Sequence, residues 1–122
     1  MLGVIILGHG SRAKGAEDAL RDLVDTIKAD LGEVLVEPAY LNFNHPDLPE
    51  SMARLAGQGA DRVVVVPFFL FNGNHLQRDI PRALELEREK YRGRVEITAA
   101  KSLFGDRRIA GILLDRIREV AL

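Results

Sequence analysis

Continuous apolar runs mark the strands of this chain. Val4–Leu7 is a short unbroken run, and Val63–Leu70 is the strongest such run in the sequence. Runs of this kind are typical of strands that are buried on both faces. Two further strands are predicted at Val34–Leu41 and Val95–Thr98. Because Pro38 cannot donate a ladder hydrogen bond, the former strand is expected at a sheet edge or a bulge.

Between and after these runs, apolar residues recur at every third or fourth position, which predicts four helices. Ser11 is expected to cap the first helix, and Asp47 with Glu50 has the spacing of a capping box. Pro81 disfavours helical geometry at the residue before it, so a kink or restart is expected there. The last helix is predicted to turn its apolar residues inward, namely Ile109, Ile112, Leu113, Ile117 and Val120.

Strands that alternate with helices predict a three-layer α/β fold of flavodoxin-like type. The sheet is expected to be parallel with strand order 2-1-3-4, helices on both faces and right-handed crossovers. The first and third strands then lie side by side at the centre. The loops that follow them carry His9 and His75, so both histidines are expected at the carboxyl edge, where ligands bind in such sheets.

Composition narrows the function classes. The 122 residues are expected to form one domain, residues 1–122, and 47% hydrophobic content is enough for a core. A net charge of −1 gives no general attraction to nucleic acid or anionic membranes. No cysteine is present, which excludes thiolate catalysis and cysteine-ligated metal sites. The sequence shows no targeting or membrane-spanning segment, so a cytoplasmic location is expected.

The histidines are the candidates for chemistry. Imidazoles bind divalent transition metals and accept protons near neutral pH. A single histidine after a strand is usually structural, but His9 and His75 follow the two most hydrophobic strands. His45 is more readily explained as a turn residue than as a ligand. The Gly8–Ser11 segment is also able to bind an anion, although it lacks the spacing of a dinucleotide fingerprint, a P-loop or a nucleophile elbow.

Several motifs, in order along nearly the whole chain, resemble the class II tetrapyrrole chelatases of the CbiX type. These motifs are Leu7-Gly8-His9-Gly10-Ser11-Arg12, Ala39-Tyr40-Leu41-Asn42-Phe43, Pro46-Asp47-Leu48-Pro49-Glu50, Val64-Val65-Val66-Pro67-Phe68-Phe69-Leu70, Gly73-Asn74-His75 and Asp79-Ile80-Pro81. The length is similar to that of the short members, CbiX-small, which are sirohydrochlorin cobaltochelatases. Longer relatives contain two such units in one chain, so the resemblance implies a homodimer.

The resemblance implies Co²⁺ insertion into sirohydrochlorin in the anaerobic cobalamin pathway, with no cofactor beyond the metal substrate. Fe²⁺ and Ni²⁺ insertion remain alternatives. His9 and His75 match the family's metal-binding and catalytic histidines, and His45 is a weaker candidate ligand. Because the substrate is a large disc ringed with carboxylates, Arg12, Lys14, Arg78 and Arg82 become candidate contacts. The full set of expected substrate contacts is Ser11, Arg12, Lys14, Asn42, Phe43, Asn72, Gly73, Asn74 and Arg78.

The sequence departs from the family pattern at Asn42, and this departure leaves alternative functions open. Many relatives carry an acidic residue where this chain has Asn42, and an amide neither accepts a proton nor neutralises a metal as a carboxylate does. A non-enzymatic tetrapyrrole-binding or metal-binding module is therefore a second hypothesis. A third is phosphotransfer through His9, although such enzymes usually have arginine where Gly8 stands.

Overall fold

The computed structural model describes residues 1–71 and 73–122, with the side chains of Asn74 and His75 excepted. Strands and helices alternate along these residues. The elements in chain order are β1 (Leu2–Gly8), α1 (Ala16–Leu31), β2 (Leu35–Tyr40), α2 (Leu48–Gly57), β3 (Arg62–Pro67), α3 (Asn74–Lys90), β4 (Glu96–Ala99) and α4 (Arg107–Ala121). Among the described residues, no helix combines the length and the apolar character needed to span a membrane.

The four strands form one parallel sheet in the order β2-β1-β3-β4, as the pattern predicts. Leu7 of β1 pairs with Ala39 of β2 on one side and Pro67 of β3 on the other. The expected edge position of Pro38 is confirmed, because β2 is an outer strand. The Pro38 carbonyl accepts a hydrogen bond of 2.5 Å from the hydroxyl of Ser51 on α2.

Each face of the sheet has its own core. On one face, α2 and α3 pack against β1 and β3, with Met52, Leu55 and Leu84 among the buried side chains. On the other face, α1 packs Leu20 and Val24 against β1 and β2. Helices on both faces confirm the predicted three-layer arrangement. Both cores consist mainly of strand and helix residues, so the loops that follow the strands at the carboxyl edge lie mostly outside them.

Helix boundaries test the predicted caps. The Asp47 side chain accepts a hydrogen bond from the Glu50 backbone at 2.9 Å, and Glu50 accepts one from the Asp47 backbone at 3.1 Å. The capping box is therefore confirmed. The Ser11 cap is wrong: α1 begins at Ala16 after Gly15, whose φ is +85°, and the Ser11 hydroxyl instead accepts from the Ala13 backbone.

Two further predictions concern helices α3 and α4. A restart of α3 at Pro81 is wrong, since one helix spans Asn74–Lys90, while a kink there stays a prediction. Pro81 lies on the exposed side of α3, where solvent can satisfy the carbonyl that proline leaves unbonded. The apolar face of α4 is not turned inward, because α4 has no buried residue. Amphipathicity identified this helix correctly but did not show which surface covers it.

Candidate functional site

The loop after β1 is held against the loop after β2. The Leu41 and Asn42 backbone amides donate to the carbonyls of Gly8 and His9, each at 3.0 Å. The Ser11 amide donates to the Asn44 side-chain oxygen at 2.7 Å. These bonds continue the β1–β2 pairing past the strand ends and fix the backbone beneath His9.

Two residues in these loops have left-handed backbones. Gly10 has a φ of +93°, and a Cβ atom there would lie 1.8 Å from the Asn42 carbonyl oxygen. Phe43 has a φ of +66°, in a tight turn where the Asn44 amide donates to the Asn42 carbonyl at 2.8 Å. Only glycine fits at the first position, whereas the strain at Phe43 is the kind that concentrates at functional sites.

His9 stands exposed at the carboxyl edge between two clefts. Its ring lies 6.2 Å from that of Phe69, edge to face at 83°. On the α1 side it lines a cleft of about 330 Å³ together with Tyr40 and Phe68. On the α3 side it lines a second cleft, of about 270 Å³. The imidazole is therefore reachable from both sides of the sheet edge.

The cleft on the α3 side contains an acidic residue that the sequence reasoning did not select. Asp79 and Arg82 of α3 line it together with His9, Leu41 and Asn42. Asp79 follows His75 by four positions, about one turn of α3, and that spacing was the available signal. This cleft therefore combines an imidazole, an amide, a carboxylate and a guanidinium.

A third cleft, of about 500 Å³, contains charges of both signs. Ser11, Arg12, Lys14 and Phe43 line it, together with the acidic residues Glu17 and Asp18. The Arg12 guanidinium stacks over the Phe43 ring at 4.5 Å from its centroid. The structure thus brings together four of the sequence-selected substrate contacts. Arg12 and Lys14 are the groups in this cleft that can pair with an anionic group of a ligand.

Apolar side chains at the same edge face solvent. Of the three phenylalanines that follow β3, Phe68, Phe69 and Phe71, only Phe69 is buried. Phe68 and Phe71 are 45% and 74% exposed, and they are joined by Phe43, Leu70 and Phe104. Because these residues follow β2, β3 and β4, they surround the carboxyl edge. A flat apolar ligand would cover such a surface.

His45 lies apart from His9. It lines neither of the two clefts that contain His9, and its Nδ1 is 2.5 Å from a Glu50 carboxylate oxygen. That hydrogen bond, together with the Glu50 charge, raises the pKa of His45. The pKa of Glu50 is lowered, first by the Asp47 amide and then by His45. His45, Asp47 and Glu50 have ligand atoms within 4.8 Å of one another, but the two carboxylates already form the capping box.

The remaining selected residues lie at the start of α3. Gly73 is its N-cap in an extended conformation, and His75 is the second residue of the helix. The expected contacts through the side chains of His75 and Asn74, and all of Asn72, fall outside the described residues. Leu76, directly after His75, lines the His9 cleft. Arg78 is exposed and lines none of the clefts described above.

A parallel α/β sheet with imidazole, carboxylate and exposed aromatic rings at its carboxyl edge defines a ligand-binding α/β protein of the chelatase-like class. The chain belongs to the CbiX family, whose model matches residues 3–120.

Relatives agree on this assignment. The chain is 37% identical to a sirohydrochlorin cobaltochelatase of Saccharolobus solfataricus, over 98% of this chain and 95% of the relative. A CbiX protein from Marinobacter aquaeolei VT8 has a similar structure, with a TM-score of 0.83 and 26% identity. The match covers 98% of this chain and 96% of the Marinobacter chain. The sirohydrochlorin chelatase SirB from Bacillus subtilis subspecies spizizenii, solved with cobalt, shares the fold at a TM-score of 0.89 and 24% identity; the match covers 98% of this chain and 51% of SirB.

Proposed function

We propose that this protein inserts Co²⁺ into sirohydrochlorin. The observation that carries the proposal is the position of His9, exposed between two clefts and surrounded by exposed apolar side chains at the carboxyl edge. A tetrapyrrole is a flat apolar disc with anionic groups at its rim. The apolar surface suits the face of that disc, and Arg12 and Lys14 suit its carboxylates. Membership in the CbiX family and a cobaltochelatase relative at 37% identity support this substrate.

The reaction exchanges two pyrrole N–H protons for one divalent ion: Co²⁺ enters, and two protons leave to bases. In the proposal, neutral His9 acts as a weak ligand that presents the ion to the macrocycle. Asp79, in the same cleft, supplies the negative charge that Asn42 lacks and accepts a proton. The entering ion itself acidifies the pyrrole N–H groups. His75 is proposed as the second histidine on the metal, by its match to the family motif.

Basic residues are proposed to hold the substrate rim. Arg12 and Lys14 line the cleft beside Phe43, and Arg82 lines the cleft that contains His9. Guanidinium groups bind carboxylates through two parallel hydrogen bonds, which fixes the orientation of a disc as well as its position. Cations on two sides of His9 would centre the macrocycle over the imidazole. Ser11, Asn42 and Gly73 are proposed as further contacts, together with Asn72, Asn74 and Arg78.

Finer properties belong to the same proposal. The enzyme is a lyase-class chelatase, acts in the cytoplasm as one domain and works as a homodimer. The homodimer is proposed because the resemblance implies two such units, which longer relatives carry in one chain. Fe²⁺ and Ni²⁺ are alternative metal substrates, because imidazole affinity alone does not select cobalt. No cofactor is invoked beyond the metal.

Phosphotransfer through His9 is not favoured. The position before His9 would need an arginine, and a Cβ atom on Gly8 would lie only 3.0 Å from a methyl carbon of Leu20, with the Tyr40 ring at 3.7 Å. Gly8 is therefore packed against the α1 core, and a long basic side chain has no space in that direction.

Absorbance changes of sirohydrochlorin on metal entry provide the test. His9→Ala and His75→Ala are each expected to lower the Co²⁺ insertion rate by at least about 100-fold. His45→Ala is the matched control, since His45 contacts Glu50 and should retain a rate close to wild type. Wild-type rates in both of the first two variants would contradict the proposal. Tight sirohydrochlorin binding without turnover, for any of the three metals, would identify a binding module instead.

A further inference from the structure

A fourth cleft, of about 370 Å³, lies between α3 and the loop that joins β4 to α4. The described residues that line it are mostly apolar, and Lys101 is the only charged one among them. None of the cations proposed above to hold the substrate rim lies in it. We call it the Lys101 cleft, and its apolar walls consist of Pro67, Phe69, Leu76, Ile80, Pro81 and Phe104.

The Lys101 cleft adjoins the cleft on the α3 side that contains His9. Leu76 lines both clefts, so the two share a wall. Phe69 lines the Lys101 cleft, and its ring lies edge to face against the His9 imidazole, with the ring centroids 6.2 Å apart. A flat ligand that covers His9 and extends toward β4 therefore reaches the Lys101 cleft with its edge.

The backbone on both sides of Lys101 is anchored to the neighbouring strand and its loop. The Ala100 amide donates to the Val65 carbonyl at 2.9 Å, and the Leu103 amide donates to the Phe69 carbonyl at 3.2 Å. These two bonds hold the loop after β4 against β3 and the residues that follow it. Lys101 therefore extends an exposed ammonium group from a fixed position at the carboxyl edge.

The charge of the Lys101 cleft differs from that of its neighbours. The third cleft described above contains Glu17 and Asp18, and the cleft on the α3 side contains Asp79. No acidic side chain is found among the described residues of the Lys101 cleft. Lys101 therefore has no competing carboxylate in its own cleft, and the apolar walls reduce the screening of an anion that enters.

We propose that the Lys101 cleft is a subsite for an acid arm of the tetrapyrrole. The ammonium of Lys101 pairs with the carboxylate, while the apolar walls pack against the aliphatic carbons of the arm and the adjoining edge of the ring. The volume lies at the lower end of the range for small-molecule sites, which suits one edge of a macrocycle rather than the whole disc. This inference rests on the proposed function, because it takes sirohydrochlorin as the ligand.

Lys101 also lies on the opposite side of the sheet edge from the cations already assigned to the rim. It follows β4, whereas Arg12 and Lys14 line a cleft beside the loop after β2. These are the two outer strands of the sheet, roughly 14 Å apart at the usual strand spacing. A tetrapyrrole with extended acid arms spans such a distance. Anchors at both edges prevent the disc from rotating over His9, which cations on one side alone do not.

Binding of metal-free sirohydrochlorin, followed by its fluorescence, tests the role of Lys101 apart from metal insertion. Lys101→Gln is expected to raise the Kd by roughly fivefold. Lys101→Glu should raise it by about tenfold or more, because a like charge then faces the carboxylate. Lys101→Arg should bind nearly as the wild type does. The pairing also predicts that added salt weakens binding less in Lys101→Gln than in the wild type.

Lys28→Glu is the matched control, because it makes the same charge change on an exposed position of α1. Circular dichroism checks that every variant folds. A wild-type Kd in Lys101→Glu would overturn the subsite. An equal rise in Lys28→Glu would overturn it as well, since the effect would then come from overall charge rather than from pairing in the cleft.

Gln77→Trp tests the cleft without a change in charge. Gln77 lines the Lys101 cleft from α3, and an indole there would fill the space that the acid arm needs, so the Kd should rise severalfold. Gln58→Trp, on an exposed position at the end of α2, is the control. An unchanged Kd in Gln77→Trp would show that the ligand does not enter the cleft.

The same measurements separate this inference from the proposed reaction. A wild-type protein that binds sirohydrochlorin without inserting Co²⁺ would refute the reaction, and the loss of affinity in Lys101→Glu would still support the subsite. A wild-type protein that does not bind sirohydrochlorin would overturn both.

Discussion

A Cβ atom on Gly10 would lie 1.8 Å from the carbonyl oxygen of Asn42. The backbone of Gly10 therefore lies directly against the backbone of Asn42. This close approach joins the loop that carries His9 to the loop that carries Phe43. With hydrogen bonds on either side of it, the two loops form one rigid platform at the carboxyl edge. The position of His9 therefore depends on a residue that has no side chain.

Gly10→Ala is expected to destabilise the protein by more than about 3 kcal/mol, because a steric clash with backbone adds to the cost of a positive φ. Gly15→Ala is the matched control. Gly15 has a similar φ of +85°, but a Cβ atom there meets nothing within 4 Å, so about 1 kcal/mol is expected. Urea unfolding measures both values. Equal losses in the two variants would show that the Asn42 contact does not matter.

Phe43→Asn is expected to separate stability from ligand binding. Asparagine tolerates a left-handed backbone better than phenylalanine, so the free energy of unfolding should rise by up to about 1 kcal/mol. The variant also loses the ring under Arg12 and an exposed apolar contact, so the KM for sirohydrochlorin should rise severalfold. Phe43→Ala, which keeps the strain, should raise KM without the gain in stability. An unchanged KM in both variants would exclude Phe43 from the substrate surface.

The sequence was sufficient where local chemistry decides the structure. The capping box of Asp47 and Glu50 needs only a spacing of three, and the edge position of β2 follows from the donor that Pro38 lacks. The strand order 2-1-3-4 was expected from alternating strands and helices with helices on both faces, and it brings the two histidine loops to neighbouring strands. These features depend on single residues or on the general rules of parallel sheets, and none of them requires knowledge of side-chain packing.

Packing decided the rest. The apolar face of α4 was recognised, but periodicity does not show whether the covering surface belongs to the same chain. The Ser11 cap was wrong because a left-handed Gly15 delays the start of α1 by several residues. Asp79 was missed as a site residue because only the placement of α3 against the β1 loop brings it into the cleft of His9. Each case depends on contacts between residues distant in sequence.

Asp79→Asn is expected to lower the rate of Co²⁺ insertion by about tenfold or more, because the cleft of His9 loses its carboxylate while the shape is kept. The change should act on kcat more than on the KM for sirohydrochlorin, since the role assigned to Asp79 concerns protons and metal. Asp25→Asn, on an exposed position of α1, is the control. The further variant N42D places a carboxylate in the same cleft as His9. N42D should recover part of the activity in the Asp79→Asn background. An unchanged rate in Asp79→Asn, with no gain from N42D, would show that a carboxylate in this cleft has no role in metal insertion.

The pH dependence of His45 provides a test of the geometry around α2. Its raised pKa means that the hydrogen bond to Glu50 stabilises the folded protein fully below the ordinary value of 6.5, and that this contribution is lost as pH rises through the higher folded value. In an NMR titration, His45 should titrate above 6.5. Glu50→Gln, which keeps an oxygen for the cap, should return the pKa toward 6.5, whereas Glu33→Gln should not. A wild-type value at or below 6.5 would contradict the contact.

The stability of α4 depends on pH through its N-cap residue, Asp106. Its carboxylate accepts from the Arg108 side chain and from the Arg108 backbone, which together lower its pKa to about 2. The ionised cap therefore stabilises the folded form at any pH above the ordinary value of 3.8, and this stabilisation is lost as pH falls through about 2.

Asp106→Ala is expected to reduce the helicity of α4 at neutral pH, with Asp115→Ala as the exposed control that caps nothing. Circular dichroism at neutral pH measures the helicity of both variants. Full helicity in the Asp106→Ala variant would show that the cap does not stabilise α4.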